Sequence, residues 1–93
     1  MADYAKVHGY VSGRVQGVSF RYFTQDEAAK YDIVGWVRNL PDGRVEFLAE
    51  GQKGLLDDFL KALNRGPVAA QVTNLEVSWD KFSGEYDNFR IRF

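Results

Sequence analysis

The sequence has 93 residues, of which 45% are hydrophobic and 27% are charged, and its formal net charge is −1. This length and composition predict one small globular domain over residues 1–93 and exclude a disordered chain. Because the chain has no cysteine, disulfides, thiolate metal sites and a cysteine nucleophile are excluded. The near-zero charge gives no general attraction to nucleic acid or to an anionic membrane.

The periodicity of the apolar residues predicts seven elements in the order β, α, β, β, α, β, β. In the first strand the odd-numbered positions from Ala5 to Val11 face the core, so His8 lies on the opposite, solvated face and receives no functional role. Residues 41–43 predict a hairpin turn, and Gly66 ends the second helix. The expected strands are residues 5–11, 33–39, 44–51, 72–79 and 89–93, and the expected helices are residues 20–31 and 53–65.

This order specifies a two-layer α+β sandwich, because strands that are polar on one side need helices to cover the other side. The natural topology is ferredoxin-like βαββαβ, with an antiparallel sheet, both helices on one face and a short additional C-terminal strand. It brings the loop after the first strand and the end of the second strand to the same edge of the sheet. The other face, with Lys6, His8, Tyr10 and Glu46, is expected to be exposed and too polar to demand a partner, so we expect a monomer.

The stretch from Gly13 to Arg21 is the leading candidate for an anion site. Gly13 and Gly17 allow the backbone to curl until successive N–H groups point inward. Ser19 is a candidate N-cap for the helix that begins near Phe20, so the free N–H groups of the loop and of the helix converge. Arg21 in the first turn opposes the helix dipole unless an anion lies between them, which indicates a ligand-directed role. The stretch fits neither the Walker motif nor the dinucleotide fingerprint, and an ordinary strand-to-helix turn is the alternative.

Asn39 supplies a carboxamide at the end of the second strand. Its oxygen can accept a hydrogen bond from a water and orient that water for in-line attack on phosphorus. A site without cysteine, and with one histidine that has no role, needs an easy leaving group. A carboxylate, whose conjugate acid has a pKa of about 4, leaves without protonation. These residues therefore favour hydrolysis of a mixed carboxylic-phosphoric anhydride over that of a phosphomonoester, although a turn-capping role for Asn39 remains an alternative.

Two motifs give the sequence a family resemblance. Residues 11–21, Val-Ser-Gly-Arg-Val-Gln-Gly-Val-Ser-Phe-Arg, resemble the first signature of the acylphosphatases, and residues 35–39, Gly-Trp-Val-Arg-Asn, resemble the second. The resemblance extends over essentially the whole chain. It implies a metal-independent hydrolase of acyl phosphates without a cofactor, in which Arg21 binds phosphate and Asn39 positions the water. The resemblance also suggests that the terminal carboxylate approaches Arg21.

The expected site therefore combines two side chains with a row of backbone donors. Arg21 and Asn39 are the expected catalytic residues, and no metal ligand is expected. The phosphate-binding loop is expected to present the backbone N–H groups of Val15, Gln16, Gly17, Val18, Ser19 and Phe20.

A non-catalytic module that binds phosphate or carbamoyl phosphate on the same fold is the alternative function. The start at Met1 and the end just after the last strand favour a free-standing enzyme. RNA binding is not expected, because residues 44–51 lack the basic and aromatic spacing of an RNP1 motif. We expect a cytoplasmic protein that has a small acyl phosphate as its substrate and no membrane or nucleic-acid partner, since no leader or spanning segment is recognisable.

Overall fold

The computed structural model describes residues 3–93, which form two helices packed on one face of a five-stranded sheet. The elements are β1 (Tyr4–Arg14), α1 (Phe20–Lys30), β2 (Val34–Asn39), β3 (Val45–Gln52), α2 (Lys53–Arg65), β4 (Gln71–Lys81) and β5 (Phe89–Arg92). The strand order is β4-β1-β3-β2-β5. All neighbouring strands are antiparallel except β2 and β5, which are parallel. The predicted α+β, ferredoxin-like fold is confirmed.

The core lies between the sheet and the helices, where the odd-numbered residues of β1 and β3 meet the apolar stripes of α1 and α2. Gly9 of β1 makes room for this packing, because a Cβ at this position would lie 2.5 Å from the ring of Phe47. The fully buried side chains of the core include Val7, Val11, Phe20, Val37, Val45, Phe47, Leu56, Phe59 and Leu63. The alternation in the sequence therefore identified the inner face of these strands.

The opposite face of the sheet is less exposed than the sequence predicted. Glu46 is only 6% exposed, so its expected place on a solvated face is wrong. Its carboxylate accepts a hydrogen bond of 2.6 Å from Arg38 Nε and lies 2.6 Å from His8 Nε2. Glu50 is fully buried and accepts hydrogen bonds from the backbone N–H groups of Ser83 and Gly84. The segment after β4 thus folds back over this end of the sheet and covers it.

The strand order brings two chain reversals to one edge of the sheet. β1 and β2 are both antiparallel to β3, which lies between them, so their C-terminal ends point the same way. Val11 pairs with Val45, and Val45 pairs with Asn39. The loop that follows β1 and the hairpin that follows β2 therefore meet at this edge, as the sequence predicted. No helix within residues 3–93 has the length and apolar character needed to cross a membrane.

Candidate active site

The loop between β1 and α1 is curled by residues with positive φ. The register of β1 against β4 shifts between Ser12 and Gly13, and Gly13 has a φ of 119°. Further along, Gly17 has a φ of 73° and Ser19 a φ of 62°. Residues with positive φ curl the backbone, and a curled loop of this kind can point successive N–H groups into a concavity that suits an anion.

The backbone donors of this loop have no partner among residues 3–93. The N–H groups of Gln16, Gly17, Val18 and Ser19 donate to no backbone or side-chain acceptor. The helical hydrogen bonds begin with Phe23 N, which donates to Ser19 O at 3.0 Å. Ser19 occupies the predicted N-cap position, but its side chain makes no capping hydrogen bond. The free donors of the loop and of the first helical turn are therefore available to a ligand.

Arg21 places a guanidinium group at this positive end of α1. The first turn of α1 carries no acidic residue, and Arg21 forms no ion pair with any carboxylate of residues 3–93. Its Nη1 instead donates a long hydrogen bond of 3.4 Å to the carbonyl oxygen of Arg92, and its Cζ lies 4.7 Å from the centre of the Phe93 ring. Arg92 and Phe93 thus meet Arg21 through a carbonyl and a ring, and no carboxylate of residues 3–93 compensates the guanidinium charge of Arg21.

Asn39 presents an unsatisfied carboxamide to the same region. It is half-buried at the end of β2, and its Oδ1 is shielded from solvent without a hydrogen-bond donor among the described residues. A buried acceptor without a partner costs about 1–3 kcal/mol. A half turn about the last side-chain torsion exchanges oxygen and nitrogen, so that either atom can face the neighbouring cavity. This amide is not used by the fold itself.

A cavity of about 220 Å³ joins these groups, and it is lined by Val15, Gly17, Ser19, Phe20, Arg21, Tyr22 and Asn39. Six of the eight predicted site residues therefore share one cavity. Gln16 and Val18 belong to the loop but do not line it. A second cavity, of about 250 Å³, lies beside Trp36 and residues 85–88 and contains none of the predicted site residues.

The electrostatics of the cavity favour an anion. Arg21 and the N-terminus of α1 both contribute positive charge, and none of the lining residues is acidic. The described chain, residues 3–93, brings no three histidine, aspartate or glutamate side chains together as a metal-ligand group. An Arg fork, a row of free N–H groups and an amide suit a tetrahedral oxyanion such as a phosphoryl group.

Three features of the site were not predicted from the sequence. Tyr22 lines the cavity and is 54% exposed. The carbonyl of Arg92 accepts from Arg21. The side chain of Gln16 bonds to the hairpin after β2. Of these three features, only the position of Tyr22 had a local signal in the sequence, because Tyr22 directly follows Arg21.

The sequence and the fold were compared with known protein families and structures. The family model described as Acylphosphatase matches residues 7–91. The chain belongs to the acylphosphatase family. An acylphosphatase of Anaeromyxobacter sp. (strain Fw109-5) is 46% identical over 92 residues, which cover 99% of each chain.

The fold comparison agrees with the sequence comparison. The crystal structure of acylphosphatase from Bacillus subtilis matches with a TM-score of 0.92 and 42% identity, covering 96% of this chain and 99% of that chain. The crystal structure of T. kodakarensis HypF matches with a TM-score of 0.80 and 29% identity. The match covers 100% of this chain and only 12% of that chain. The predicted enzyme class, acylphosphatase, is confirmed by these relatives, and the family acts on small acyl phosphates.

Proposed function

We propose that Arg21, Asn39 and the backbone N–H groups of residues 15–20 form the catalytic site of this acylphosphatase. The observation that carries the proposal is the shared cavity, in which an unpaired guanidinium and an unsatisfied carboxamide lie beside a loop of free N–H groups. Arg21 holds two phosphoryl oxygens with its planar fork, and the loop surrounds the remaining oxygens.

The reaction is an in-line displacement at phosphorus. Asn39 turns its carboxamide oxygen toward the cavity and accepts a hydrogen bond from the attacking water. As the water oxygen bonds to phosphorus, the phosphorus–oxygen bond to the acyl group breaks and its electron pair leaves with the carboxylate. The proton of the water passes to the phosphate product or to solvent. The loop donors and Arg21 stabilise the charge on the equatorial oxygens, so that the proposed mechanism uses neither a covalent intermediate nor a metal.

The test is hydrolysis of benzoyl phosphate in excess chelator by the parent and by Arg21→Gln and Asn39→Ala. Each substitution should lower kcat/KM by on the order of 10²- to 10³-fold, because each removes a group that acts on the transition state. Asn39→Asp, which keeps an acceptor but adds negative charge beside the phosphoryl group, should lose rate as well.

Matched controls lie on the exposed end of α2. Arg65→Gln and Asn64→Ala make the same chemical changes at exposed positions outside the cavity and should retain the parental rate. Circular dichroism checks the fold of every variant. If a folded Arg21→Gln or Asn39→Ala variant turned over at the parental rate, its residue would have no catalytic role.

A binding module is the second candidate function, favoured by the likeness to the HypF chain, of which the match covers only 12%. A folded parent that binds inorganic phosphate but does not hydrolyse benzoyl phosphate would support this candidate. Inhibition of turnover by phosphate would instead support the enzyme.

The proposal includes a cytoplasmic location and a monomeric state, with no membrane or nucleic-acid partner. The absence of cysteine is compatible with a reducing compartment. The ion pairs of Glu46 with His8 and Arg38 place charged side chains on the face of the sheet opposite the helices, which supports the monomer. The location is tested by fractionation of the source cells, where recovery with the membranes would contradict it.

A further inference from the structure

The side chain of Gln16 connects the two halves of the site from outside the cavity. Its Nε2 donates to Leu40 O at 2.7 Å and to Arg44 O at 2.9 Å. Both hydrogens of the carboxamide nitrogen are therefore used, and the two acceptors lie in the hairpin between β2 and β3. Gln16 itself stands between Val15 and Gly17, in the loop that carries the free N–H groups.

The two acceptors fix the hairpin next to Asn39. Leu40 directly follows Asn39, and Leu40 N donates to Arg44 O at 2.8 Å. Gly43 N in turn donates to Leu40 O at 3.1 Å. Each carbonyl therefore accepts both from the hairpin and from Gln16, which a carbonyl oxygen with two lone pairs can do. A displacement of this hairpin relative to the loop moves the backbone of Asn39 with it.

We propose that Gln16 is a positioning residue that sets the distance between Asn39 and the phosphate-binding loop. This inference rests on the proposed function, because it assigns Gln16 a role in placing the water held by Asn39 against the phosphorus held by the loop. The side chain of Gln16 does not line the cavity and touches neither reactant. Phosphate contacts depend on Arg21 and the loop alone, whereas the line of attack depends on both sides of the cavity.

The proposal predicts a specific kinetic change. A misplacement of about 1 Å between reacting groups can cost about 100-fold in rate. Gln16→Met, which is similar in length and has no donor, should lower kcat about 10- to 100-fold. The inhibition constant of inorganic phosphate should change less than about twofold, because the loop and Arg21 remain.

A second variant gives a readout that a purely structural role would not change. In Gln16→Glu the ionised carboxylate faces two carbonyl oxygens and can donate to neither, whereas its protonated form can donate to one. Its rate relative to the parent should therefore rise as the pH falls from 8 to 5. The same ratio for Gln16→Met should stay constant over this range.

The matched control is Gln25→Met, because Gln25 Nε2 also donates to a distant backbone carbonyl, Phe89 O, at 3.1 Å. This control should keep the parental kcat even if its melting temperature falls. The proposal is overturned if a folded Gln16→Met variant keeps the kcat of Gln25→Met, or if its phosphate inhibition constant rises in parallel with the loss of kcat.

Should Gln16→Met fail to fold, the pH series of Gln16→Glu decides, and a flat ratio overturns the proposal. A parent enzyme without turnover contradicts the proposed function itself, which separates the two failures.

Discussion

Gly17 holds a backbone conformation that a side chain would penalise. Its φ is 73°, and a Cβ added there would meet no atom within 4 Å, so conformation rather than crowding decides the effect of substitution. A left-handed residue with a Cβ costs roughly 1–2 kcal/mol relative to glycine. Gly17→Ala should therefore lower the free energy of unfolding by about that amount, measured by urea denaturation.

Gly54 is the matched control for Gly17, because it also has open space around a new Cβ but lies in α2 without a positive φ. Gly54→Ala should raise the free energy of unfolding by up to about 1 kcal/mol, since alanine favours the helix. Equal effects of the two substitutions would show that the φ of Gly17 is not what matters.

Individual site residues differed in how readily the sequence revealed them. The position of Arg21 and Asn39 beside one cavity was predictable, because each follows a glycine-marked segment in a recognised motif and lies at the boundary of a periodic element. The side-chain role of Gln16 was not, because its acceptors, Leu40 and Arg44, lie in a hairpin far along the chain. The sequence alone does not indicate the hydrogen-bond partners of a loop glutamine. They become clear only when the fold brings the loop and the hairpin to the same edge of the sheet.

At the scale of the elements, Glu46 connects three strands. It lies on β3, His8 on β1 and Arg38 on β2. Burial alone would raise the pKa of Glu46, but the hydrogen bonds from His8 and Arg38 outweigh it and hold the pKa below its ordinary value. The folded state therefore favours the ionised carboxylate, and the three strands are stabilised by it.

Because the pKa of Glu46 is depressed, its contribution to the free energy of unfolding depends on pH. A carboxyl whose pKa is lower in the folded state contributes stability above its unfolded pKa of about 4.5, and that contribution is lost as the pH falls through the folded pKa. Glu46→Gln should lower the free energy of unfolding by about 1.5–3 kcal/mol at pH 7 and by less near pH 3.

Urea denaturation of the parent and of Glu46→Gln at pH 7, 5 and 3 measures this pH dependence of stability. Glu76→Gln, on the exposed part of β4, is the control. The control should give nearly the parental curve. An equal loss in Glu46→Gln at all three pH values would show that the ionised carboxylate is not the stabilising form.

The bounds of the elements were largely predictable, and their surroundings were not. Period-two and helical patterns located β3 and α2 to within a residue or two, because one face of each is consistently apolar. The burial of Glu46 and Glu50 was missed, because alternation shows which face of a strand is apolar but not which other segments pack over its polar face. Ser83, in the segment that returns across the sheet, donates to Glu50 from both its N–H and its hydroxyl group.

For the whole molecule, the covering of Trp36 by arginine side chains supports the monomeric state proposed above. Trp36, on the face opposite the helices, is 8% exposed and is covered by Arg92 and Arg38, at 4.5 and 5.5 Å from its ring. We expect sedimentation equilibrium to return the chain mass of 10.6 kDa at all concentrations. A mass that rises toward twice this value with concentration would contradict the monomer.

The segment that Glu50 anchors offers a place at which the molecule can be tethered to a support or to another protein. Ser83 and Gly84 bond to Glu50, and Asn88 O accepts from Gly35 N near the start of β2, at the end of the sheet opposite the cavity. Residues 85–87 lie between these two fixed points. Lengthening a loop costs only about 0.6 kcal/mol for each doubling. A tether inserted there would hold the molecule on a bead or a fusion partner with the cavity beside Arg21 and Asn39 turned outward.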